Sequence, residues 1–192
     1  MNNFIHKEYR FFLEFIRSIP RFMVYITIIT GIIFQNVKII SFGLIIFFSD
    51  ILNFFLKNII FRPLYKKFQD INGNIPIIGR GNRPINAKNC STYILKDEIN
   101  KLCTEFGMPS GHSQMAGLIG SCLLLYIFEN YENSIYRNIS IALILGLVMI
   151  SLYHRYYENC HTIQQILIGF FIGIIIGYIV YYKLYKKYLH DL

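Results

Sequence analysis

Long apolar runs separated by polar segments dominate the pattern of this chain. They cover about residues 22–34, 39–57, 113–128 and 139–153, and a last run that ends at about Tyr182. Runs of this length with few charges are typical of membrane-crossing helices. The pattern predicts an all-α fold, a multi-pass transmembrane bundle of about five to six helices in a single domain, 1–192. In the last run, Gly169, Gly173 and Gly177 recur every fourth residue, which favours close helix packing.

Two segments depart from this pattern. Residues 4–19 place apolar side chains on one helical stripe and charged side chains elsewhere. This predicts an amphipathic N-terminal segment, 1–21, that lies at the membrane interface. Pro20 is expected to end its helix. Residues 62–107 are polar, broken by Gly and Pro, and without clear periodicity, which predicts a long loop. Loops of this length inside a domain are usually functional or disordered.

Composition agrees with a membrane protein and narrows its partners. The chain is 54% hydrophobic, with a mean hydropathy of +0.42 and a net charge of +8. This charge suits anionic lipid headgroups or phosphate substrates. The basic residues lie between apolar runs instead of forming a basic domain, which argues against nucleic acid.

Four cysteines lack metal-ligand spacing. Cys90 and Cys103 share the polar loop and could pair if that loop faces an oxidising lumen.

A Pro-Ser-Gly-His sequence stands where the polar loop enters the third apolar run. Pro109 suits a first helical turn, and Ser110 and Gly111 offer backbone N–H groups at a helix N-terminus. Gly111 also lets an anion approach closely, and the positive end of the helix dipole attracts it. The segment therefore predicts a phosphate cradle with His112 next to the bound anion.

Counting membrane crossings brings the polar residues of four segments to one side. The second run ends, the third begins, the fourth ends and the fifth begins on the same face. Lys57, the 62–107 loop, His112, Arg155 and His161 are therefore predicted to converge in one site. This convergence follows from topology alone.

Two histidines beside basic residues suit phosphoryl transfer. One imidazole can attack phosphorus while the other protonates the leaving oxygen, and cationic side chains neutralise the charge of the transition state. Gln165 lies four residues after His161, so on a helix its side chain can reach the imidazole and orient it. No carboxylate cluster of the metal-ligand kind is present in the sequence, which favours a reaction without metal or other cofactor.

These residues resemble the motifs of the type 2 phosphatidic acid phosphatase superfamily. That family carries Lys, six residues and Arg-Pro; then Pro-Ser-Gly-His; then Ser-Arg, five residues, His, three residues and Asp. The second motif matches in full at Pro109–His112, and the third matches at Arg155 and His161. The stretches at residues 107–114 and 160–165 look most like the dolichyl-diphosphatase branch. The resemblance spans more than half of the chain.

The resemblance implies a role for each matched residue. His161 would be the nucleophile that forms a phosphohistidine, and His112 the general acid. Arg155, Ser110 and the Gly111 backbone would bind the phosphoryl oxygens. The implied protein is a metal-independent membrane phosphatase that acts on a lipid phosphate or a polyprenyl (dolichyl-type) diphosphate. Family analogy also implies an active site on the extracytoplasmic face or in the endoplasmic reticulum lumen.

The third motif departs from the family at two positions. Gln165 stands where the family has Asp, so the side chain can orient the imidazole but cannot stabilise an imidazolium by charge. His154 stands where the family has Ser before the Arg. Gln is expected in the dolichyl-diphosphatase-like branch, so we interpret it as a mark of that branch.

The first motif is broken. Lys57 is followed by Arg62-Pro63 after only four residues, and a second Arg-Pro begins at Arg83 in a Gly-rich surround. We expect Lys57 to be a phosphate ligand, since an ionisable group within a span is functional by default. Asn53 shares its helical face and would support it. Arg83 is the expected partner, with an insertion between the two, and Arg62 is the alternative.

Two other functions compete with phosphatase activity. Vanadate-dependent haloperoxidases use a similar anion pocket, but those relatives are soluble, and the apolar runs argue against them. A catalytically inactive protein that binds or transports lipid phosphates on the same fold is the second alternative. Gln165 and the broken first motif keep that alternative open, while His112, Arg155 and His161 argue against it.

Overall fold

A computed structural model describes residues 2–88, 90, 103, 105–132 and 134–186, and the side chains of these residues except 2–12 and 184. Its α-helices are α1 (Asn2–Ile33), α2 (Val37–Phe55), α3 (Arg62–Phe68), α4 (Gly111–Asn130), α5 (Ile135–Tyr157) and α6 (Ile163–Val180). Two π-helical segments, Leu56–Phe61 and Tyr181–Lys186, extend α2 and α6. Strands β1 (Asn74–Ile75) and β2 (Gly79–Arg80) pair antiparallel.

Five helical segments in the described part of the chain are long and apolar enough to cross a membrane. They are Leu13–Ile33, Val37–Phe68, Gly111–Asn130, Ile135–Tyr157 and Ile163–Lys183. The prediction of an all-α, multi-pass bundle is confirmed. Polar side chains at Asn36, Ser110, Ser134 and Thr162 cap the helices that follow them, because each supplies an acceptor for an otherwise unpaired N–H group of the first turn.

Two predicted boundaries are wrong. Pro20 lies inside α1, so one continuous helix replaces the separate amphipathic segment and first span. A proline removes one backbone hydrogen bond, which a helix tolerates in a membrane when its flanks are apolar and packed. The polar loop also begins later than residue 62, because the helix continues through the π-helical segment to Phe68. Pro63, which lacks an N–H, directly follows the π-helical segment, where the backbone hydrogen-bond pattern already changes.

The glycine stripe of α6 packs directly on α4, as the sequence predicts. A Cβ atom at Gly169 would collide with the Ser110 backbone, and one at Gly173 would collide with the Gln114 carbonyl. A Cβ at Gly177 would collide with Ser121 in the same way. Backbones that approach this closely require glycine. The contact sets the N-terminus of α6 beside the N-terminus of α4 at one membrane face.

A buried polar network joins α2 to α4. Asn53 Nδ2 donates to Gln114 Oε1 at 2.9 Å, and Gln114 Nε2 donates to the carbonyl and the hydroxyl of Ser49 at 2.9 and 3.0 Å. All three side chains are buried, so these bonds replace hydration that the bilayer cannot provide. The network therefore fixes the distance between α2 and the start of α4.

Candidate active site

The N-terminus of α4 is held by its own cap and by α6. Ser110 Oγ accepts from Ser113 N at 3.4 Å and from Ser113 Oγ at 2.9 Å. Ser110 N donates to the Gln165 carbonyl at 3.1 Å, so that N–H is not available to an anion, contrary to the prediction. The close approach of α6 brings that carbonyl within reach. Pro109 precedes the N-cap residue and does not enter the first turn. Gly111 is the first residue of α4, and a Cβ atom at this position would lie 3.1 Å from Asn53 Oδ1.

His112 is oriented by α1. Its Nε2 lies 3.1 Å from the Arg17 carbonyl oxygen, and because a carbonyl only accepts, Nε2 carries the hydrogen. Nδ1 is then the ring nitrogen open to other partners. Arg17 also forms a 3.3 Å ion pair with Glu158, the residue that caps the C-terminus of α5.

Sequence reasoning missed both Arg17 and Glu158. It placed Arg17 on the polar side of an interfacial helix, whereas the side chain is buried in the bundle. The available signal was a charged residue inside an apolar window that starts at Leu13, since such charges usually face partners within the bundle.

His161 lies in the turn between α5 and α6. Its backbone N–H and that of Cys160 both bond to the Arg155 carbonyl, at 3.3 and 3.1 Å. Its Nδ1 is 3.0 Å from Gln165 Oε1. Thr162 and Gln165 form a reciprocal capping box at the start of α6, a consequence of their three-residue spacing. The cap therefore places Gln165 beside the imidazole.

The surroundings of Gln165 decide which nitrogen of His161 carries the hydrogen. Gln165 Nε2 lies among the carbonyl oxygens of Arg80, Gly81 and Asn82, at 2.9, 3.2 and 2.9 Å. An amide must direct its NH₂ group toward three acceptors, so its oxygen faces His161. His161 Nδ1 then donates that hydrogen bond, and its Nε2 carries a lone pair.

The electrostatic surroundings of His161 favour its neutral form. Burial holds the pKa of His161 well below its ordinary value, because a buried imidazolium loses its hydration. The positive charges of Arg155, Arg83 and Lys57 lower this pKa further, and the hydrogen bond to Gln165 opposes them. The neutral imidazole is therefore the stable form at neutral pH.

Arg155 and Arg83 bring buried guanidinium groups to the same region. Arg155 is 1% exposed and donates from Nη2 to the Cys90 carbonyl at 2.9 Å. Arg155 Nε and Nη1, and Arg83 Nε, are buried without a hydrogen-bond partner in the described part of the chain. Burial also lowers the pKa of Arg83. Buried donors without partners are costly, and an anionic ligand is one group that would satisfy them.

The predicted convergence of the polar residues is observed. Arg155, Arg83 and Lys57 all act electrostatically on His161, and His112 lies within electrostatic range of both arginines. His161 thus lies within electrostatic range of three cations and His112 within range of two of them, at the end of the bundle that the crossing count predicts.

The PAP2 superfamily sequence model matches residues 38–189, which is most of the chain. The chain belongs to the PAP2 superfamily. This membership supports a phosphatase-type function on lipid phosphates. Neither a curated protein nor a solved structure matches the chain. Helix α1, which supplies the Arg17 carbonyl to His112, precedes the matched segment.

In this PAP2 protein, Arg83 reaches the site on a glycine-rich loop. Arg83 N donates to the Glu105 carbonyl at 3.2 Å, and Gly107 N donates to the Gly81 carbonyl at 2.8 Å. A Cβ at Gly107 would lie 2.8 Å from Arg83 Cγ and 2.6 Å from Gln165 Oε1, so only glycine fits between them. These contacts hold Arg83 beside Gln165.

Arg62, the alternative partner of Lys57, has a different environment. It lies on α3 with its guanidinium carbon 5.8 Å from the centre of the Phe106 ring, in cation–π range. It is not among the charges that act on His161. Both arginines act electrostatically on Lys57, but Arg83 is the one that lies beside Gly107 and Gln165 in this PAP2 protein.

The sequence left open a pairing of Cys90 with Cys103, and the structure shows a different one. The disulfide joins Cys90 to Cys160, with a Cα–Cα distance of 5.3 Å across a sequence separation of 70 residues. The polar loop folds back onto the turn between α5 and α6, which sequence proximity could not indicate. Cys103 lies beside the bridge, where its Sγ accepts from Cys90 N at 3.4 Å. The disulfide thus ends on the residue before His161.

Among the described residues, no group of three or more His, Cys, Asp or Glu side chains could hold a metal ion. Within the described part of the chain, the groups gathered at this end of the PAP2 bundle include imidazoles, guanidiniums and an ammonium.

Proposed function

We propose that this protein is an integral-membrane phosphatase that hydrolyses a lipid phosphate or polyprenyl diphosphate through a phosphohistidine at His161. One observation carries the proposal. A neutral imidazole with its Nε2 lone pair available lies beside buried guanidinium donors that have no partner in the described part of the chain. A nucleophile next to an anion site is the arrangement that phosphoryl transfer requires.

In the first step, His161 Nε2 attacks phosphorus and the bond to the leaving oxygen breaks. His112 acts here as an imidazolium: it donates the proton of Nδ1 to that oxygen, while its Nε2–H stays bonded to the Arg17 carbonyl. Arg155, Arg83 and Lys57 neutralise the charge that develops on the phosphoryl oxygens. In the second step, a water attacks the phosphohistidine, His112 accepts its proton, and the P–N bond breaks to release phosphate.

The surroundings of His112 suit a leaving group with a lipid chain. A cavity of about 130 Å³ between α1, α2 and α4 borders His112. Val24, Phe47 and Met115 line it with apolar side chains, while Arg21 and Asp50 add polar ones. The leaving oxygen must lie at the general acid, so the diacylglycerol of a phosphatidate, or the polyprenyl monophosphate of a polyprenyl diphosphate, would leave beside this cavity with its chain near the apolar side chains. The resemblance to the dolichyl-diphosphatase branch favours a prenyl chain.

The pH dependence should follow the neutral His161. We expect kcat/KM to hold its value as the pH falls through about 6.5, the ordinary pKa of histidine. A depressed pKa keeps the nucleophile unprotonated until the pH falls below that pKa. The acidic limb of the kcat/KM profile should therefore lie below pH 6.5. Initial rates from pH 4.5 to 8 measure this. Half-loss of kcat/KM at pH 6.5 or above would contradict the assignment.

The disulfide supports an active site on the extracytoplasmic or lumenal face. Cys90 and Cys160 lie at the site itself, and disulfides persist in oxidising compartments. We expect Cys90→Ser with Cys160→Ser to lower activity by about 10 to 100-fold, because Arg155 and His161 lose their fixed positions. Phosphate release measures the activity, and the mass shift on reduction and alkylation shows whether the disulfide is present. Cys122→Ser, within the α4–α6 contact, is the control. Full activity of the double variant would refute the predicted dependence of activity on the disulfide.

The decisive experiment is phosphate release by detergent-purified protein in the presence of EDTA. Polyprenyl diphosphate, polyprenyl monophosphate and phosphatidate are the substrates. Release that survives EDTA supports the proposal, and the preferred substrate identifies the branch. If folded protein releases phosphate from none of the three, the inactive lipid-phosphate-binding alternative replaces it.

A further inference from the structure

We infer that Gln165 is a positioning residue that joins the nucleophile to the phosphate-binding loop. Its amide holds the His161 imidazole on one side and the Arg80–Asn82 backbone, with the adjoining Arg83, on the other. The inference rests on the proposed function, because it assumes that His161 and Arg83 act on the same phosphoryl group.

The hydrogen-bonding capacity of the Gln165 side chain is fully used. Oε1 accepts from His161 Nδ1 at 3.0 Å and from Thr162 N at 3.3 Å. Nε2 donates to three carbonyl oxygens of the loop, at 2.9 to 3.2 Å. The residue is fully buried, so no water competes for these bonds and each lost bond leaves a buried polar group unpaired.

The loop needs a donor at this point. Three successive carbonyls, from Arg80 to Asn82, converge on one nitrogen. Without an N–H group between them, their partial negative charges would repel one another. Arg83 follows directly in the chain. Gly107 lies between Arg83 Cγ and Gln165 Oε1, and the gap there is too small for a methyl group. A shift of the three carbonyls would therefore move Arg83.

This geometry distinguishes Gln165 from a carboxylate. If the side chain at position 165 only oriented His161, Asp or Glu would perform the task equally well, and their charge would also stabilise an imidazolium. A carboxylate only accepts hydrogen bonds, so it would place a negative charge against three carbonyl oxygens. The amide thus performs two tasks here, of which a carboxylate can perform one.

The test compares Gln165→Glu with Gln164→Glu, a neighbouring exposed glutamine. At pH 7.5 we expect Gln165→Glu to lower kcat and to raise KM, with a loss in kcat/KM of about 100-fold. The control should stay within about threefold of wild type. Activity of the Glu variant should rise as the pH falls, because a protonated carboxyl regains one donor. Wild type should show no such rise.

A double-mutant cycle with Arg83→Ala isolates the loop. If Gln165 acts through Arg83, Gln165→Glu should raise KM little further in the Arg83→Ala background. Independent, multiplicative effects on KM would overturn the inference, as would a Gln165→Glu variant that loses kcat alone. If the Glu variant does not fold, the neutral and similarly sized Gln165→Met carries the same KM test.

The outcomes separate this inference from the proposed function. An inactive wild type, or an active His161→Asn variant, would overturn the proposed function and the inference with it. An active wild type and an inactive His161→Asn variant, combined with normal KM in both Gln165 variants, would overturn the inference alone. Thermal unfolding in detergent checks that each variant is folded.

Discussion

His161→Asn is expected to abolish phosphate release and phosphoenzyme formation, with a loss of at least about 10³-fold. Asn has no nucleophilic nitrogen, because its amide lone pair is delocalised. Its NH₂ group can still donate to Gln165 Oε1, which now accepts from His161 Nδ1 at 3.0 Å. The substitution therefore removes the proposed chemistry while it preserves the local hydrogen bond.

Two measurements check this result. Phosphate release is followed in EDTA, and acid-labile, base-stable phosphoprotein is quantified after rapid quenching. The variant must keep the Cys90–Cys160 bridge and the unfolding temperature of wild type. Retained turnover, or retained phosphoprotein, would remove His161 from the role of nucleophile.

The second large effect is expected at Arg155. Arg155→Lys should lower kcat/KM by about 10² to 10³-fold and weaken inhibition by orthovanadate, a phosphate analogue. The guanidinium donates from Nη2 to the Cys90 carbonyl, and its Nε and Nη1, which have no partner in the described part of the chain, are the donors that we propose for an anion. A lysine supplies one point charge and cannot hold the carbonyl and two oxygens in a planar fork. A charge-conserving change would thus be costly.

Arg62→Lys is the matched control for that variant. Arg62 also lies near the polar loop, but its guanidinium packs over the Phe106 ring. We expect its kcat/KM to stay within about threefold of wild type, as for most substitutions outside a site. If Arg62→Lys lost more activity than Arg155→Lys, the assignment of the phosphate ligands would be reversed. Steady-state rates and vanadate inhibition decide between these results.

The boundaries of the helices show where a local pattern is insufficient. Hydrophobic periodicity located every membrane helix, because a span must be apolar along its whole length. It failed at Pro20 and at Arg62, where proline or charge normally ends a helix in water. In both places the helix continues, since packing and the low-dielectric surroundings favour internal backbone hydrogen bonds.

The candidate site divides in the same way. The sequence by itself determined that His112, Arg155 and His161 share one membrane face, because crossing order alone fixes sidedness. It also determined that Gln165, four residues after His161, can reach the imidazole, a local effect of helix geometry.

Only the tertiary structure decided which distant groups complete the site. It paired Cys160 with Cys90, set the Arg17 carbonyl on His112, and placed the Gln165 amide among three loop carbonyls. Each contact joins segments that are 70 or more residues apart in the chain. Such contacts depend on how the helices pack and how the loop folds back, and no local periodicity, motif or spacing contains that information.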